Sequence, residues 1–336
     1  MEGTIAAMTS PTHDTDALAA LASRQGGVLL TAQLPRPVLR AALSRDLLEK
    51  VRRGAYRWRA VDDPAPGHAL DRIRALAQIE AVSRQLRSPF ALCQESAALV
   101  WDLPLWRVPA RVHVVQQHRP GIPRTGTDLV RHLTALAPAD TAVRRGHVVT
   151  SLARTVVGCA RTLPALDALV VVDAALRRGV LTEQLRDVLD RVGGGRGSAR
   201  AQVLVGLGSG GAESPGESAV RFHLLRRGLP VPTTQIPVTT RLGTFRADLG
   251  WPQWRVLVEF DGFVKYSTLA QGDPAKVLFE EKRRQEGIEE EGWRVLRVTM
   301  RDLEDGTELV QRVLRLLPPG TSVDLERRPY LWFGAV

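Results

Sequence analysis

The sequence predicts a multidomain protein of the α+β or α/β class with three structured regions. Helices followed by a β-hairpin are predicted at the N-terminus, the middle is mostly helical, and the C-terminal region follows the order helix, strands, helix, strand, helix. Segments rich in Gly or Pro separate these regions at 62–67 and 193–216. A chain of 336 residues is long enough for two or three domains.

The N-terminal region has the element order of a winged helix-turn-helix module, which we place at residues 15–61. Residues 1–14 are predicted to be disordered. Helices are expected over 15–24, 31–34 and 37–44, and Leu47 to Trp58 forms a hairpin that turns at Arg53-Gly54. The stretches LASRQGGVLLTAQL and LLEKVRRGAYRW resemble the N-terminal domain of AbiEi-type antitoxins.

Basic side chains of this module predict binding to double-stranded DNA. The formal net charge of the whole chain is +10, which favours a polyanionic partner. A winged helix places its recognition helix in the major groove and its wing against phosphates. The expected recognition-helix residues are Arg36, Arg40 and Arg45, and the expected wing residues are Lys50, Arg52, Arg53 and Arg57. The alternative is a small helical domain with a basic surface.

The middle region, residues 68–192, resembles the body of AbiEi-type antitoxins only loosely, and its sequence shows no catalytic set. Helices are expected over much of it, with a strand over 108–116. Its histidines lack the spacing of a zinc site and are interpreted as loop or surface residues: His113, His118, His132 and His147. Residues 193–216 are expected to form a flexible linker.

Acidic residues in a predicted C-terminal hairpin indicate a metal site. Two β-type runs, 244–250 and 255–261, flank a short reversal. A tight turn would place Asp248 opposite Leu257 and diagonal to Glu259 on one face, with Cβ atoms roughly 7 Å apart or less. Such carboxylates repel each other unless a hard cation, Mg²⁺ or Mn²⁺, binds between them. The alternative is a surface hairpin whose acids face water.

The motifs around this hairpin resemble the PD-(D/E)XK nuclease superfamily in its very-short-patch-repair-like branch. The matching stretches are Gly216-Glu217-Ser218, Arg246-Ala247-Asp248, Val258-Glu259-Phe260-Asp261-Gly262, Glu281-Lys282-Arg283-Arg284 and Gly292-Trp293-Arg294-Val295-Leu296-Arg297. The resemblance implies a restriction-endonuclease-like αβββαβ domain over 217–318 that hydrolyses DNA phosphodiester bonds with Mg²⁺ or Mn²⁺. It also implies that Asp248 and Glu259 are metal ligands and that Glu217 is an additional acid.

One departure from the superfamily pattern concerns the catalytic lysine. The pattern places Lys two residues after the second acid, where this chain has Asp261, a third candidate metal ligand. Only four of the 46 basic residues are Lys, and three of these follow the acidic strand. A compact ammonium can approach an attacking water where a bulky guanidinium cannot, so the candidate replacements are Lys265 and Lys282. The alternative is that these lysines are solvated.

Two functions follow from these observations. The first is a metal-dependent DNA endonuclease, and the second is a non-catalytic, antitoxin-like transcriptional regulator with a degenerate nuclease fold. The acids favour the first, whereas the missing Lys favours the second. A cognate toxin or a repair protein is a further candidate partner, although the basic charge argues against a winged helix that binds only protein.

Cysteine usage and hydropathy favour a cytoplasmic location. Cys93 and Cys159 lie in apolar helical contexts without zinc or disulfide spacing, as expected for free thiols in a reducing compartment. Residues 1–14 lack the pattern of a signal peptide. The apolar stretch 148–176 is interrupted by charges, so no membrane association is expected. Residues 319–336 are expected to form a C-terminal tail.

Overall fold

The structure is a computed structural model that describes residues 11–60, 62–118, 127–262, 274–304 and 306–332. These residues form eleven α-helices, twelve β-strands and three sheets, so the predicted mixed α/β class is confirmed. No described helix has the length and apolar character needed to cross a membrane. The chain divides into two compact units, one containing residues up to Asp102 and Arg107–Ser151, the other containing Leu103–Trp106 and residues from Leu152 onward.

The first unit alternates helices with short strands. Its helices are α1 (Pro11–Arg24), α2 (Arg36–Ser44), α3 (His68–Gln85) and α4 (Gln94–Val100). Its strands are β1 (Val28–Leu30), β2 (Leu48–Arg52), β3 (Ala55–Trp58), β4 (Ala91–Leu92), β5 (Val112–Gln116), β6 (Leu129–Leu133), β7 (Thr141–Arg144) and β8 (His147–Thr150).

The N-terminal part of this unit contains a strand that the sequence did not predict. β1 pairs with β3 in a sheet of order β1-β3-β2, and the predicted helix at 31–34 is a single 3₁₀ turn, Thr31–Gln33. The predicted hairpin is present and turns at Gly54, whose φ of 76° suits glycine. Because α1 begins at Pro11, the disorder predicted for 1–14 is wrong at residues 11–14, and residues 1–10 lie outside the described chain.

Helix α3 packs on this N-terminal sheet, so the predicted boundary at 62–67 does not separate two independent domains. Val28 and Ala55 of the sheet share a buried cluster with Ala77 and Ala81 of α3. Arg84 at the end of α3 donates a 2.6 Å hydrogen bond to the backbone oxygen of Val28. These contacts close the apolar face that a three-stranded sheet of this size cannot bury alone.

Two histidines that we interpreted as scattered surface residues meet in the five-stranded sheet of order β6-β5-β4-β8-β7. β5 and β6 are parallel, and Nδ1 of His113 lies 3.1 Å from Nε2 of His132, with their rings stacked. Burial lowers the pKa of both imidazoles to about 4, Arg111 contributing at His113 and His113 at His132. The pairing depends on strand register, which the spacing of the histidines does not reveal.

This pair predicts a loss of stability in acid. The folded pKa values near 4 lie below the ordinary value of 6.5, so the folded chain binds fewer protons than the unfolded chain between these pH values. The free energy of unfolding is therefore highest above pH 6.5. It falls as the pH approaches 4, by about 3 kcal/mol for one imidazole. In denaturant titrations across this range, His132→Gln should lose less stability than wild type, and His118→Gln, at an exposed position, should match wild type. Equal losses in all three proteins would contradict the prediction.

The second unit consists of a helical part followed by a sheet with helices on both faces. Its helices are α5 (Leu152–Thr162), α6 (Ala165–Arg177), α7 (Thr182–Val192), α8 (Ser198–Leu207), α9 (Pro215–Arg226), α10 (Pro274–Glu290) and α11 (Thr307–Arg315). Its strands are β9 (Thr233–Thr240), β10 (Gly243–Trp251), β11 (Val256–Phe260) and β12 (Arg294–Val298).

The segment predicted as a flexible linker, 193–216, contains a packed helix. α8 buries Ala201, Leu204 and Val205, and helices α5 to α8 belong to the same unit as the C-terminal sheet. A fully buried ion pair of 2.6 Å joins Asp173 of α6 to Arg221 of α9. The boundary between units therefore lies near Ser151, earlier than the predicted 193–216.

The C-terminal sheet has the order β12-β11-β10-β9, with β9, β10 and β11 antiparallel and β12 parallel to β11. One buried cluster joins α9 and α11 to one face, through residues such as Val220, Val258 and Val313. A second cluster joins Ile288 of α10 to Leu257 on the opposite face. The predicted element order from α9 to α11 is thus present.

The alternation of side chains along β10 is interrupted at Asp248. Ala247 packs in the cluster on the α10 face, whereas Leu249 packs in the cluster on the α9 face. In the neighbouring strand, Gln235 lies at the matching position and has a left-handed φ of 55°. Such an irregularity changes the direction of side chains locally, as β-bulges do. Asp248 therefore lies between two residues that pack on opposite faces of the sheet.

The segment predicted as a C-terminal tail is anchored as far as the structure describes it. Arg328 is buried and donates hydrogen bonds of 2.8 and 2.9 Å to the backbone oxygens of Leu225 and Leu229. Leu331 is also buried. The tail interpretation is therefore wrong for the described residues around Arg328.

Candidate functional site

The carboxylates of Asp248 and Glu259 lie on neighbouring strands. β10 pairs with β11 from Leu249 opposite Val258 to Trp251 opposite Val256, and continuing this register by one step would set Asp248 opposite Glu259. The predicted position opposite Leu257 is wrong by two residues. The two carboxyl groups lie close enough to interact, because the Asp248 charge adds to the rise that burial causes in the pKa of Glu259.

The reason for the shifted register is the reversal between the strands. It contains a 3₁₀ turn, Pro252–Trp254, followed by Arg255 in the left-handed region at φ 52°. This connection is longer than the tight turn that we predicted, and it moves the pairing along β11. The continued register would therefore set the two acids across from each other rather than diagonally.

A backbone hydrogen bond fixes the Asp248 side chain. Its Oδ2 accepts a 2.7 Å hydrogen bond from the N–H of Phe260, the residue after Glu259. Phe260 in turn lies against the first turn of α9, since a Cβ placed on Gly216 would come within 2.0 Å of the phenyl ring. The hydrogen bond to the backbone therefore helps to fix the orientation of the carboxylate.

Glu259 is largely buried and paired with a cation from α10. Its side chain is 14% exposed, and its Oε1 accepts a 2.7 Å hydrogen bond from Nη2 of Arg284. Burial raises the pKa of the Glu259 carboxyl, Arg284 opposes this rise, and the negative charge of Asp248 adds to it. A further cation bound beside this carboxyl group would stabilise its charged form.

Glu217 has a structural role at the start of α9. Its Oε1 accepts from the Ser214 hydroxyl at 2.9 Å and its Oε2 accepts from the Glu213 N–H at 2.8 Å, while its own N–H donates to Ser214. This arrangement resembles a capping box, which satisfies amide groups at a helix start. Burial raises the pKa of Glu217, and the Asp248 charge adds to the rise. The structure thus shows Glu217 at the helix cap, and its role as an additional acid of the site stays a prediction.

The other predicted catalytic residues that the structure describes make contacts of their own. Asp261 follows β11, half-buried, and its N–H donates a 2.8 Å hydrogen bond to Val298. Lys282 is 76% exposed, with its Nζ 3.9 Å from Glu286 on the same helix, so it does not reach back to Glu259. Lys265 lies outside the described residues.

Two arginines that the sequence reasoning missed supply positive charge beside Glu259. Arg284 contacts it directly, and Arg297 pairs with it in the β11–β12 register and lowers its pKa. Arg297 also donates to Glu281 of α10. The spacing of Glu281 and Arg284, three residues apart on α10, puts both side chains on one helical face and is the sequence signal for these contacts.

The donor set fits magnesium better than a cation that needs a complete protein cage. Across the described residues, no group of three or more His, Cys, Asp or Glu side chains is arranged to hold a metal ion. The set of Asp248, Glu259 and Asp261 is therefore not seen as a three-acid cluster. Mg²⁺ commonly binds through one or two carboxylates and keeps several waters, so Asp248 and Glu259 are the residues that would hold it.

Most of the basic residues that we predict to contact DNA are exposed to solvent. Five of the seven basic residues are exposed on α2, β2 and the turns that follow them: Arg36, Arg40, Arg45, Lys50 and Arg53. Arg52 instead forms a 2.9 Å ion pair with Asp128. Arg57 is 3% exposed and pairs with Glu49 and Asp63. Arg52 and Arg57 are therefore structural residues, which corrects their assignment as wing contacts.

Comparison with known proteins gives relatives without a described function. No protein-family profile matches the chain. The uncharacterized proteins MT2308 and Rv2248 of Mycobacterium tuberculosis are each 30% identical over 175 residues, which is 51% of this chain and 62% of theirs. The chain thus spans about three fifths of these relatives. The crystal structure of the RV2827C protein from Mycobacterium tuberculosis has a TM-score of 0.37 at 18% identity, covering 59% of this chain and 78% of that one, and supports no argument at this score.

Proposed function

We propose that the protein binds double-stranded DNA and hydrolyses its phosphodiester bonds with a divalent cation held by Asp248 and Glu259. The observation that carries this proposal is the proximity of the two carboxyl groups: Asp248 accepts a 2.7 Å hydrogen bond from the N–H of Phe260, next to Glu259, and its charge acts on the Glu259 carboxyl. Burial raises the pKa of Glu259, Arg284 opposes this rise and the Asp248 charge adds to it, so a divalent cation at this place would relieve repulsion between the acids. The motif order of the PD-(D/E)XK superfamily gives the reaction class.

The residues around the pair have distinct roles in this proposal. A bound Mg²⁺ would supply a water of lowered pKa and would neutralise charge on the phosphate. The Phe260 N–H orients Asp248, and Arg284 opposes the rise that burial causes in the pKa of Glu259. A guanidinium can also form two parallel hydrogen bonds to phosphate, so Arg284 is placed to contact the scissile group when a cation takes over Glu259.

The N-terminal module provides the proposed DNA-binding surface. Its order of α1, β1, α2 and the β2–β3 hairpin supports a winged helix-turn-helix assignment, in which α2 enters the major groove. Arg36 and Arg40 lie one helical turn apart on α2 and are both exposed. Arg53 is exposed at the hairpin turn, where a wing contacts phosphates.

Replacing two exposed wing residues should weaken DNA binding without changing its sequence preference. Lys50→Ala with Arg53→Ala removes two phosphate contacts, so the slope of log affinity against log salt should fall in magnitude by about 2. Fluorescence anisotropy with unrelated duplexes measures both quantities. The matched control is Arg301→Ala with Arg315→Ala, two exposed arginines of the second unit. An unchanged slope in the wing variant would show that the wing does not contact DNA.

A DNA-binding regulator without catalysis is the second candidate function, and a specific contact favours it. Arg284 already supplies a counter-charge to Glu259, as expected if an ion pair has replaced a metal site. The exposed position of Lys282 leaves the described part of the site without a nearby ammonium. Under this interpretation the winged helix would act as a repressor, with a toxin or repair protein as an additional partner.

Cleavage assays distinguish these two functions. Purified full-length protein is incubated with plasmid and with short matched and mismatched duplexes in Mg²⁺, in Mn²⁺ and in chelator. The proposal predicts cleavage that needs the cation and is lost in chelator. Tight binding without cleavage under every condition would favour the regulator.

A further inference from the structure

A basic and aromatic pocket lies at the end of α9 remote from Glu217. Its volume is about 550 Å³, and its lining includes Arg226, Arg227, Glu326, Arg327, Arg328 and Trp332. Glu217 and Arg226 are nine residues apart on α9, so the pocket is roughly 14 Å along the helix axis from the capping glutamate. This pocket is therefore separate from the carboxylate pair.

The aromatic ring of this pocket is held in place but remains accessible. Trp332 is 47% exposed, and its Nε1–H donates a 3.0 Å hydrogen bond to the backbone oxygen of Arg226. The guanidinium of Arg226 lies 4.1 Å from the ring centroid and that of Arg227 lies 4.9 Å from it. Stacked guanidinium and indole groups form flat surfaces on which a nucleobase can stack.

The charge of the pocket favours an anion. Four of the described lining residues are arginines, and the one carboxylate among them, Glu326, is paired with Arg328 at 2.6 Å. The carbonyl groups at the end of α9 would repel an anion, but Trp332 donates a hydrogen bond to that of Arg226 and Arg328 donates one to that of Leu225. The pocket therefore presents positive charge, and these hydrogen bonds partly neutralise the negative C-terminal end of α9.

We propose that this pocket binds an unpaired nucleotide of single-stranded DNA, with the base against Trp332 and the phosphate beside Arg226, Arg227 and Arg327. Its volume is in the range of pockets that enclose small organic groups, which suits one nucleotide. A duplex end or an acidic peptide would use the positive charge but not the exposed part of the Trp332 side chain or the guanidinium planes beside it. Binding here needs neither a metal ion nor cleavage, so it stands apart from the carboxylate pair.

The test compares two labelled strands of equal length, an oligodeoxythymidylate and a strand of abasic residues that keeps the phosphates. Fluorescence anisotropy is measured with the full chain in chelator, so that no strand is cut. Wild type should bind the thymidylate about tenfold more tightly than the abasic strand, since stacking on an aromatic ring contributes on this order. Trp332→Ala should remove this preference, and Arg327→Ala should weaken the binding of both strands. Arg315→Ala, an exposed arginine at the end of α11, is the matched control and should change neither.

Further measurements check the fold of each variant and separate a nucleotide strand from other anions. Thermal unfolding reports whether a variant is folded. If Trp332→Ala does not fold, Trp332→Phe replaces it in the test, and this variant should retain part of the preference because it keeps a smaller ring. Competition with free dTMP and with an acidic peptide tests the source of the anion, and the thymidylate strand should be the strongest competitor. The proposal is overturned by equal binding of the two strands to wild type or by a preference that survives both Trp332 variants. An acidic peptide or free dTMP that competes as well as the strand would also overturn it.

Discussion

Asp248→Asn should reduce DNA cleavage by about 10²–10³-fold or more while leaving DNA binding intact or slightly tighter. The substitution removes one of the two carboxylates, yet the amide oxygen of Asn can still accept the hydrogen bond from the Phe260 N–H. Local structure is therefore preserved while the negative charge is lost. Plasmid nicking under single-turnover conditions gives the rate, and anisotropy with duplex DNA gives the affinity.

A control at a distant acid separates the loss of a ligand from the loss of charge. Asp324→Asn changes the net charge by the same amount at an exposed position and should cleave as wild type does. Cleavage by Asp248→Asn at the wild-type rate would show that Asp248 takes no part in the reaction. A parallel loss in the Asp324 variant would mean that overall charge, not the carboxylate pair, sets the rate.

Arg284→Met should have the second largest effect, lowering turnover by about 10²–10³-fold and tightening the binding of divalent cations. The guanidinium that donates to Glu259 is lost, so a cation no longer competes with it for the carboxylate. The same loss removes the positive charge that is placed to stabilise the phosphate. Single-turnover cleavage measures the first effect, and Mn²⁺ titration measures the second.

Lys282→Met is the matched control for this prediction. Its side chain is 76% exposed and pairs only weakly with Glu286, so turnover should stay within about twofold of wild type. Arg284→Lys should restore part of the lost rate, because the charge returns without the planar fork of the guanidinium. If Lys282→Met impairs cleavage as strongly as Arg284→Met, the sequence interpretation of a displaced lysine regains support. Lys265 remains a candidate from the sequence.

Local patterns predicted the elements around the site better than their pairing. The strands of the hairpin, the helix before it and the helix after it follow from alternation, caps and turn residues, and all three are present. The register between the strands was missed because it depends on the Pro252–Trp254 turn and on the left-handed Arg255. A left-handed Arg is rare enough that no composition rule selects it.

Long-range contacts account for the other differences. Arg284 reaches Glu259 across 25 positions of sequence, and His113 reaches His132 across 19, so neither pair is visible in local spacing. The glycines of 193–216 predicted a linker, although the apolar residues of α8 between them pack in the second unit. Arg57 was counted as a wing contact because its partners Glu49 and Asp63 are brought to it only by folding.

The central claim, that Asp248 and Glu259 hold a divalent cation, is tested most directly by Mn²⁺ titration calorimetry on the full chain without DNA. We predict one saturable Mn²⁺ site in wild type that is lost in Asp248→Asn and in Glu259→Gln, with Asp324→Asn unchanged. Identical Mn²⁺ binding by wild type and by both site variants would contradict the claim.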